Sequence, residues 1–302
     1  MTPVVASLAL RPLLHGPEQP ASVLASFDHA AYVRIDTGAA PTQPPTVLSL
    51  VTRDGVAHPN ALILPTTAAD RPLSALHRGT PGTVGAGRLC LAGQVYRPAR
   101  WRSSEVCLPP VGAAALAAGV ERARHHLDGR AAPLPDGLAA PLGELVEALL
   151  RDDSQAASDG ADRLIGLGPG LTPAGDDVLS GLLAGLRSLA PAVTPPVTSL
   201  EERIDALAPR IAGRAVGRTT DVSVALLCHA AHGGLAAPAA RLLAALVCTD
   251  PAAPRRIAVA SDELLAVGST SGRDLAVGML AAGELVARAA RRTAGRAASF
   301  AA

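Results

Sequence analysis

The sequence predicts an α+β fold, with a β-rich N-terminal domain over residues 1–110 and a mostly α-helical domain over residues 111–302. Three observations predict it. Short β-compatible runs crowd the first third of the chain, and four of its five aromatic residues (Phe27, Tyr32, Tyr96 and Trp101, but not Phe300) fall there. After Pro110 the composition turns Ala- and Leu-rich with helical spacing of apolar residues.

Taken in order, ASVLASF, AAYVRID, TVLSLVT and ALILP read as strands bounded by Pro, Gly and Asp, and RLCLAGQVYRPARW continues them. The opening MTPVVASLALRPLL has no basic stretch before its short apolar run, so it reads poorly as a signal peptide. VGAAALAAGVERARHHLDG reads as a helix closing on glycine, with His125 and His126 on its surface. GRAAPLPDGLAAP (129–141) and APAVTPPVTS (190–199) read as Pro-rich connectors. EERIDALAPRIAGRAVG sets Ile204, Leu207 and Ile211 at helical spacing, with Pro209 placed to kink or divide the helix. SVALLCHAAHGG and AARLLAALVC read as a short helical hairpin stopped by Gly233 and Gly234, and VARAARRTAGRA as a helix C-terminus.

Composition removes several function classes. A net charge of +1 provides no field to attract nucleic acid or an acidic membrane, and the scarcity of aromatics argues against base stacking. No lysine is present, since all 27 basic residues are arginine, which excludes a Schiff-base lysine and a P-loop lysine. The 4 cysteines are dispersed without a C-x-x-C pair, as suits reduced thiols in a cytoplasmic protein. No segment reaches the roughly 18 uninterrupted apolar residues of a membrane span. His229 and His232, beside Cys228, read as ordinary helix residues because no further ligand follows at a zinc-like spacing.

The chemistry concentrates in GLGPGLTPAGDD (166–177). Gly168, Pro169 and Gly170 predict a turn whose backbone can approach a ligand. A helix is expected from Ala174 or Gly175, with Thr172 as N-cap and Pro173 at the first position. Free N–H groups at such an end bind anions. Capping does not account for two adjacent carboxylates: neighbours on a helix point about 100° apart, so Asp176 and Asp177 cannot both cap. One of them is free to orient a substrate donor, hold a divalent cation or pair with an arginine.

GSTSGRD (268–274) departs from a nucleophile elbow, because Thr270 stands where G-x-S-x-G has serine. It reads as a second corner, with Thr270 and Ser271 as donors and Asp274 on the first helical turn. The two corners echo one another: Thr172, Gly175, Asp177 and Gly181 align with Thr270, Gly272, Asp274 and Gly278 when one residue is skipped. Arg210, Arg214 and Arg218 recur every fourth residue and share a face, and Arg218 stands out because Thr219, Thr220 and Asp221 follow it at a helix boundary.

GLGPGLTPAGDD, GRTTDVSVALLCHAAHGG and GSTSGRDLAVGML together resemble the helical half of the AllH-type oxamate carbamoyltransferase subunit family. The resemblance covers roughly residues 160–285; the first third resembles the family only in texture, chiefly in RLCLAGQVYRPARW. Ala174 stands where a residue such as serine would precede Gly-Asp-Asp, which removes a hydroxyl role there. The resemblance implies a part in the phosphorolysis of oxalurate to oxamate and carbamoyl phosphate, in purine and allantoin breakdown. It also implies other carbamoyltransferase subunits as partners.

The expected site therefore has Gly168, Gly170 and Thr172 contacting a small anionic substrate that Arg218 and Thr219 help to bind. Thr270 and Ser271 complete the pocket, and Asp176, Asp177 and Asp274 are the candidate catalytic carboxylates. No cofactor is identified, and a divalent cation stays open. Two other classes remain: a non-catalytic metabolite-binding or regulatory subunit, and a metal-dependent hydrolase using the acidic corners.

Overall fold

The computed structural model describes residues 1–130, 134 and 137–301, with side chains through Gly295. Eight strands come first: β1 (Thr2–Ser7), β2 (Gln19–Ser26), β3 (Ala30–Ile35), β4 (Thr46–Val51), β5 (Ala61–Ile63), β6 (Pro81–Gly85), β7 (Arg88–Leu91) and β8 (Gln94–Arg102). They close into a barrel of order β1-β5-β4-β3-β2-β6-β7-β8, sealed by the parallel pair of β8 with β1. A short helix, α1 (Arg11–His15), follows β1 and adds Leu14 to the barrel core. Val33, Leu48, Leu50, Leu62 and Leu89 fill that core, so the interior is packed with side chains as in other small barrels.

The runs read as strands are strands. Two further strands of the barrel were not anticipated. β1 lies within the segment read only against a signal peptide, and β6 (PGTVG) contains a proline and two glycines that normally count against a strand. Ring closure requires both, because β1 and β6 each bridge two neighbours. The TVLSLV run of β4 is buried from Val47 to Val51 because both faces are covered. Leu48 and Leu50 enter the barrel core, while Val47 packs outward against Val222 and Ala225 of the helical region.

The remainder is mostly helical: β9 (Val111–Gly112), α2 (Ala113–Asp128), α3 (Ala139–Arg151), α4 (Ser154–Leu164), α5 (Ala174–Ala192), β10 (Val193–Thr194), α6 (Thr198–Ala215), α7 (Asp221–Ala231), α8 (Ala237–Leu246), α9 (Ala253–Leu265) and α10 (Ser271–Ala301). The molecule is therefore α+β, as expected. α5 is buried along almost its whole length, as its all-round apolar character requires. No helix among the described residues is long and apolar enough to cross a membrane.

Several local expectations change. The connector read over 129–141 partly lies outside the described residues, and its last residues already belong to α3. APAVTPPVTS is not a plain connector: α5 continues through Pro191 to Ala192, and Val193 and Thr194 pair with β9. α6 runs unbroken through Pro209. α7 and α8 do not form a hairpin, because α7 packs on α5 and α6 whereas α8 packs on α9. His126 is half-buried and its Nε2 lies 2.8 Å from Asp262 Oδ1.

The sequence echo is a structural one. α4 leads into α5 as α9 leads into α10, and the two long helices cross at their glycines. A Cβ on Gly181 would sit 2.1 Å from the carbonyl oxygen of Leu275, and one on Gly278 would sit 2.0 Å from that of Val178. Val178 and Leu275 are themselves equivalent in the alignment, so the contact is reciprocal. Only glycine permits backbones to approach this closely. The crossing brings the two helix N-termini, and with them both motif corners, to one place.

Candidate functional site

A cavity of about 590 Å³ opens between the barrel and the helical region. On the helical side it is lined by Gly170, Leu171 and Thr172 ahead of α5, by Gly268, Ser269 and Thr270 ahead of α10 with Ser271 at its first position, and by Asp177 and Ser180 of α5. The barrel supplies Phe27, His29, Tyr32, Asp54 and His58 from β3 and the loops around it. Three other hollows among the described residues contain no residue of the two glycine corners.

The first corner is shaped by glycine. Gly168 and Gly170 have φ of +112° and +100°, a region that side-chain-bearing residues rarely adopt. Pro173, not Thr172, is the N-cap of α5, and no side chain caps that end. The Thr172 hydroxyl instead lies 2.9 Å from the Ser271 hydroxyl, which joins the two corners directly. Ser180 was not anticipated, although its position three residues after Asp177 places it on the same helix face.

The adjacent carboxylates have separate environments. Asp176 accepts from the Gly166 N–H at 2.8 Å through Oδ1 and from the Thr219 hydroxyl through Oδ2. Both oxygens are thus engaged in tying the glycine loop and the start of α7 to α5. Burial raises its pKa, and the hydrogen bonds from Thr219 and Gly166, with the nearby Ser223 hydroxyl and the charge of Arg218, oppose that rise. Asp177 turns to the cavity. It is only 5% exposed, and its Oδ2 has no hydrogen-bond partner among the described residues. Burial pushes its pKa up to about 8; the negative charges of Asp274 and Asp176 add to this, while Ser271 and Thr172 pull it back. A carboxyl raised in this way keeps its proton to higher pH than a free one, and in that form it can donate a hydrogen bond.

Of the expected site residues, the structure places Gly170, Thr172, Asp177, Thr270 and Ser271 around the cavity. Gly168, Asp176, Asp274, Arg218 and Thr219 do not line it. Asp274 is fully buried, with Oδ1 accepting from Arg273 Nε at 2.8 Å. Arg218 is directed at α4, where Nη1 lies 3.3 Å from Asp162 Oδ1 and Nη2 donates to the Asp162 carbonyl at 2.5 Å. Arg214 shares the same carboxylate. The Arg218 guanidinium, expected to help bind the anion, is thus turned towards Asp162 and away from the cavity lining. Thr219 supports Asp176, and Thr220 caps α7 while donating to the Leu171 carbonyl at 2.6 Å.

No arginine is among the residues lining the cavity. Positive potential there comes from the N-termini of α5 and α10, each equivalent to roughly half an elementary charge. Among the described residues no three of His, Cys, Asp and Glu gather to hold a metal ion, so the metal-dependent reading lacks a ligand set there. His229 is held down to about 4 by burial, with His232 adding to the effect.

The barrel contribution was missed at the level of sequence. Tyr32 and His58 lie far from both motifs; the one visible signal was for Tyr32, in the concentration of aromatics in the first third of the chain. No solved structure matches the chain significantly. Residues 164–283, the stretch that carries all three motifs, match the family model described as oxamate carbamoyltransferase subunit AllH, and the AllH-type resemblance read from those motifs is thereby borne out.

Proposed function

We propose that the chain is a subunit of an oxamate carbamoyltransferase and that the cavity binds the oxalurate or oxamate skeleton during carbamoyl transfer. The observation that carries this reading is Asp177: a buried carboxyl with an unpartnered oxygen, at the meeting point of two helix N-termini, in the wall of an open cavity. Oxalurate carries one carboxylate beside a planar amide system. Its carboxylate suits the N–H groups of the two corners and the hydroxyls of Thr172, Thr270 and Ser271. Its amide suits Asp177, which donates to a carbonyl when neutral and accepts from an N–H when ionised.

In phosphorolysis a phosphate oxygen attacks the carbamoyl carbon, the bond from that carbon to the oxamate nitrogen breaks, and the nitrogen gains the proton that phosphate loses. A carboxyl with a pKa of about 8 is matched to relaying that proton near neutral pH. Positioning and charge stabilisation supply the rest, without a covalent lysine. One further observation favours a site shared between subunits. Among the described residues no arginine lines this cavity, so in this proposal the charge of phosphate falls to the helix N-termini or to a residue supplied by another subunit. The place in allantoin breakdown and the cytoplasmic setting belong to the same proposal, and free thiols at Cys90, Cys107, Cys228 and Cys248 suit a reducing compartment.

The test is Asp177→Asn in the reconstituted complex. Carbamoyl phosphate formation from oxalurate and phosphate should fall by about 100-fold or more, the range for loss of a general acid–base group, with assembly unchanged. Undiminished activity would remove Asp177 from the chemistry. Activity that is absent from every complex containing the wild-type chain, with ligand binding retained, would favour a non-catalytic metabolite-binding role.

A further inference from the structure

The cavity has a second polar wall, and it comes from the barrel. Tyr32 lies on β3 opposite Ser49 of β4, on the outward side of the barrel, while its neighbour Val33 turns inward to the core. Its hydroxyl is 3.3 Å from His58 Nε2, and both side chains line the cavity. His58 belongs to the connection between β4 and β5, which is anchored from two directions. Arg102 of β8 donates to the carbonyls of Ala57 and His58, and the Ala237 N–H at the start of α8 donates to the Ala57 carbonyl at 3.1 Å.

We infer that Tyr32 is a further substrate-contacting residue of this site: a hydroxyl oriented by His58 and placed across the cavity from Asp177. The inference rests on the reading of the cavity given above. The chemistry of the pair suits a carbamoyl group. A neutral imidazole has one donor and one acceptor nitrogen, and a phenol can serve as either, so the dyad can present a donor or an acceptor according to the histidine tautomer. Burial, reinforced by the charge of Asp177, pushes Tyr32 up to about 12, so the hydroxyl keeps its proton. Burial, with Arg102 nearby, holds His58 down to about 4, so the ring is uncharged at neutral pH. Two neutral hydrogen-bonding groups on facing walls complement a planar amide, which offers N–H donors on one edge and a carbonyl acceptor on another. A purely packing role would require only the ring of Tyr32, which also meets Phe27 edge-on at 6.4 Å. The hydroxyl is therefore what the experiment must isolate.

Oxalurate and oxamate are titrated calorimetrically into the full-length wild-type chain and into Tyr32→Phe, His58→Gln and Asp177→Asn. Tyr32→Phe should weaken binding by about tenfold or more, as expected when a buried polar contact loses its partner, without lowering the thermal midpoint. His58→Gln should weaken it less. Binding by Tyr32→Phe equal to wild type, while Asp177→Asn loses it, would overturn the role of Tyr32 alone. A wild-type chain that binds neither compound overturns the reading of the cavity and this inference with it. Should Tyr32→Phe fail to fold, the wild type labelled with carbon-13 at tyrosine Cζ provides a second readout. Only Tyr32 and Tyr96 are present, and Tyr96 lies in the barrel core. Adding oxamate should move the Tyr32 resonance and leave that of Tyr96 in place; two unmoved resonances under saturating oxamate would overturn the inference.

Discussion

Asp176 and Asp177 are chemically identical neighbours whose roles are set by what surrounds them. Asp176 has both oxygens satisfied by Gly166 and Thr219, whereas Asp177 lines the cavity and retains a buried oxygen without a partner among the described residues. The sequence indicated that they must differ, because a helix separates adjacent side chains, but the assignment depended on Thr219, which is distant in the chain. The proton on Asp177 has a thermodynamic consequence. Its pKa rises from 3.8 in the unfolded reference to about 8 in the fold, chiefly through burial. Between those values the native state holds a proton that the unfolded state has lost, so this contribution to stability falls as pH rises. It is fully present below about pH 4 and lost as pH rises through about 8. Chemical denaturation across this range should show a weaker decline for Asp177→Asn than for the wild type. Parallel curves for the two proteins would mean that Asp177 is ionised in the fold.

At the scale of elements, the crossing of α5 and α10 determines whether the corners meet. Gly181→Ala would place a methyl 2.1 Å from the Leu275 carbonyl oxygen. The gain in helix propensity is about 1 kcal/mol. Overpacking costs about 1–3 kcal/mol and more when the obstacle is backbone. The clash prevails, and a lower thermal midpoint with weakened ligand binding is expected. Gly143→Ala in α3 is the control, since a Cβ there meets nothing within 4 Å; it should leave stability unchanged or raise it by up to about 1 kcal/mol. Equal effects of the two substitutions would refute the close-crossing account. Much of this level was legible in the sequence. Helical spacing located α6, cap-like residues located the start of α5, and the Thr-Gly-Asp-Gly echo located the two corners, while α3, α4 and α9 had no reading of their own. β1 and β6 were not legible, because they are strands through barrel closure and not through local propensity. The separate packing of α7 and α8 was likewise decided by α5, α6 and α9.

For the whole molecule, the proposed site lies at a junction between two parts that sequence treats separately. The motifs identified Gly170, Thr172, Asp177, Thr270 and Ser271, which do share one cavity. They could not identify Tyr32 or His58, which a different region of the chain brings to the opposite wall. Nor could they show that Asp162 engages Arg218 away from the cavity, since an aspartate within α4 carries no motif signal. The barrel is thus part of the proposed site and not only a support for it. The most direct test of the central proposal is a structure of the assembled complex with oxamate bound. The account predicts ligand density between the N-termini of α5 and α10, with a ligand atom within hydrogen-bond distance of the Asp177 carboxyl and another facing Tyr32. Oxamate bound elsewhere, with this cavity empty of it, would contradict the account.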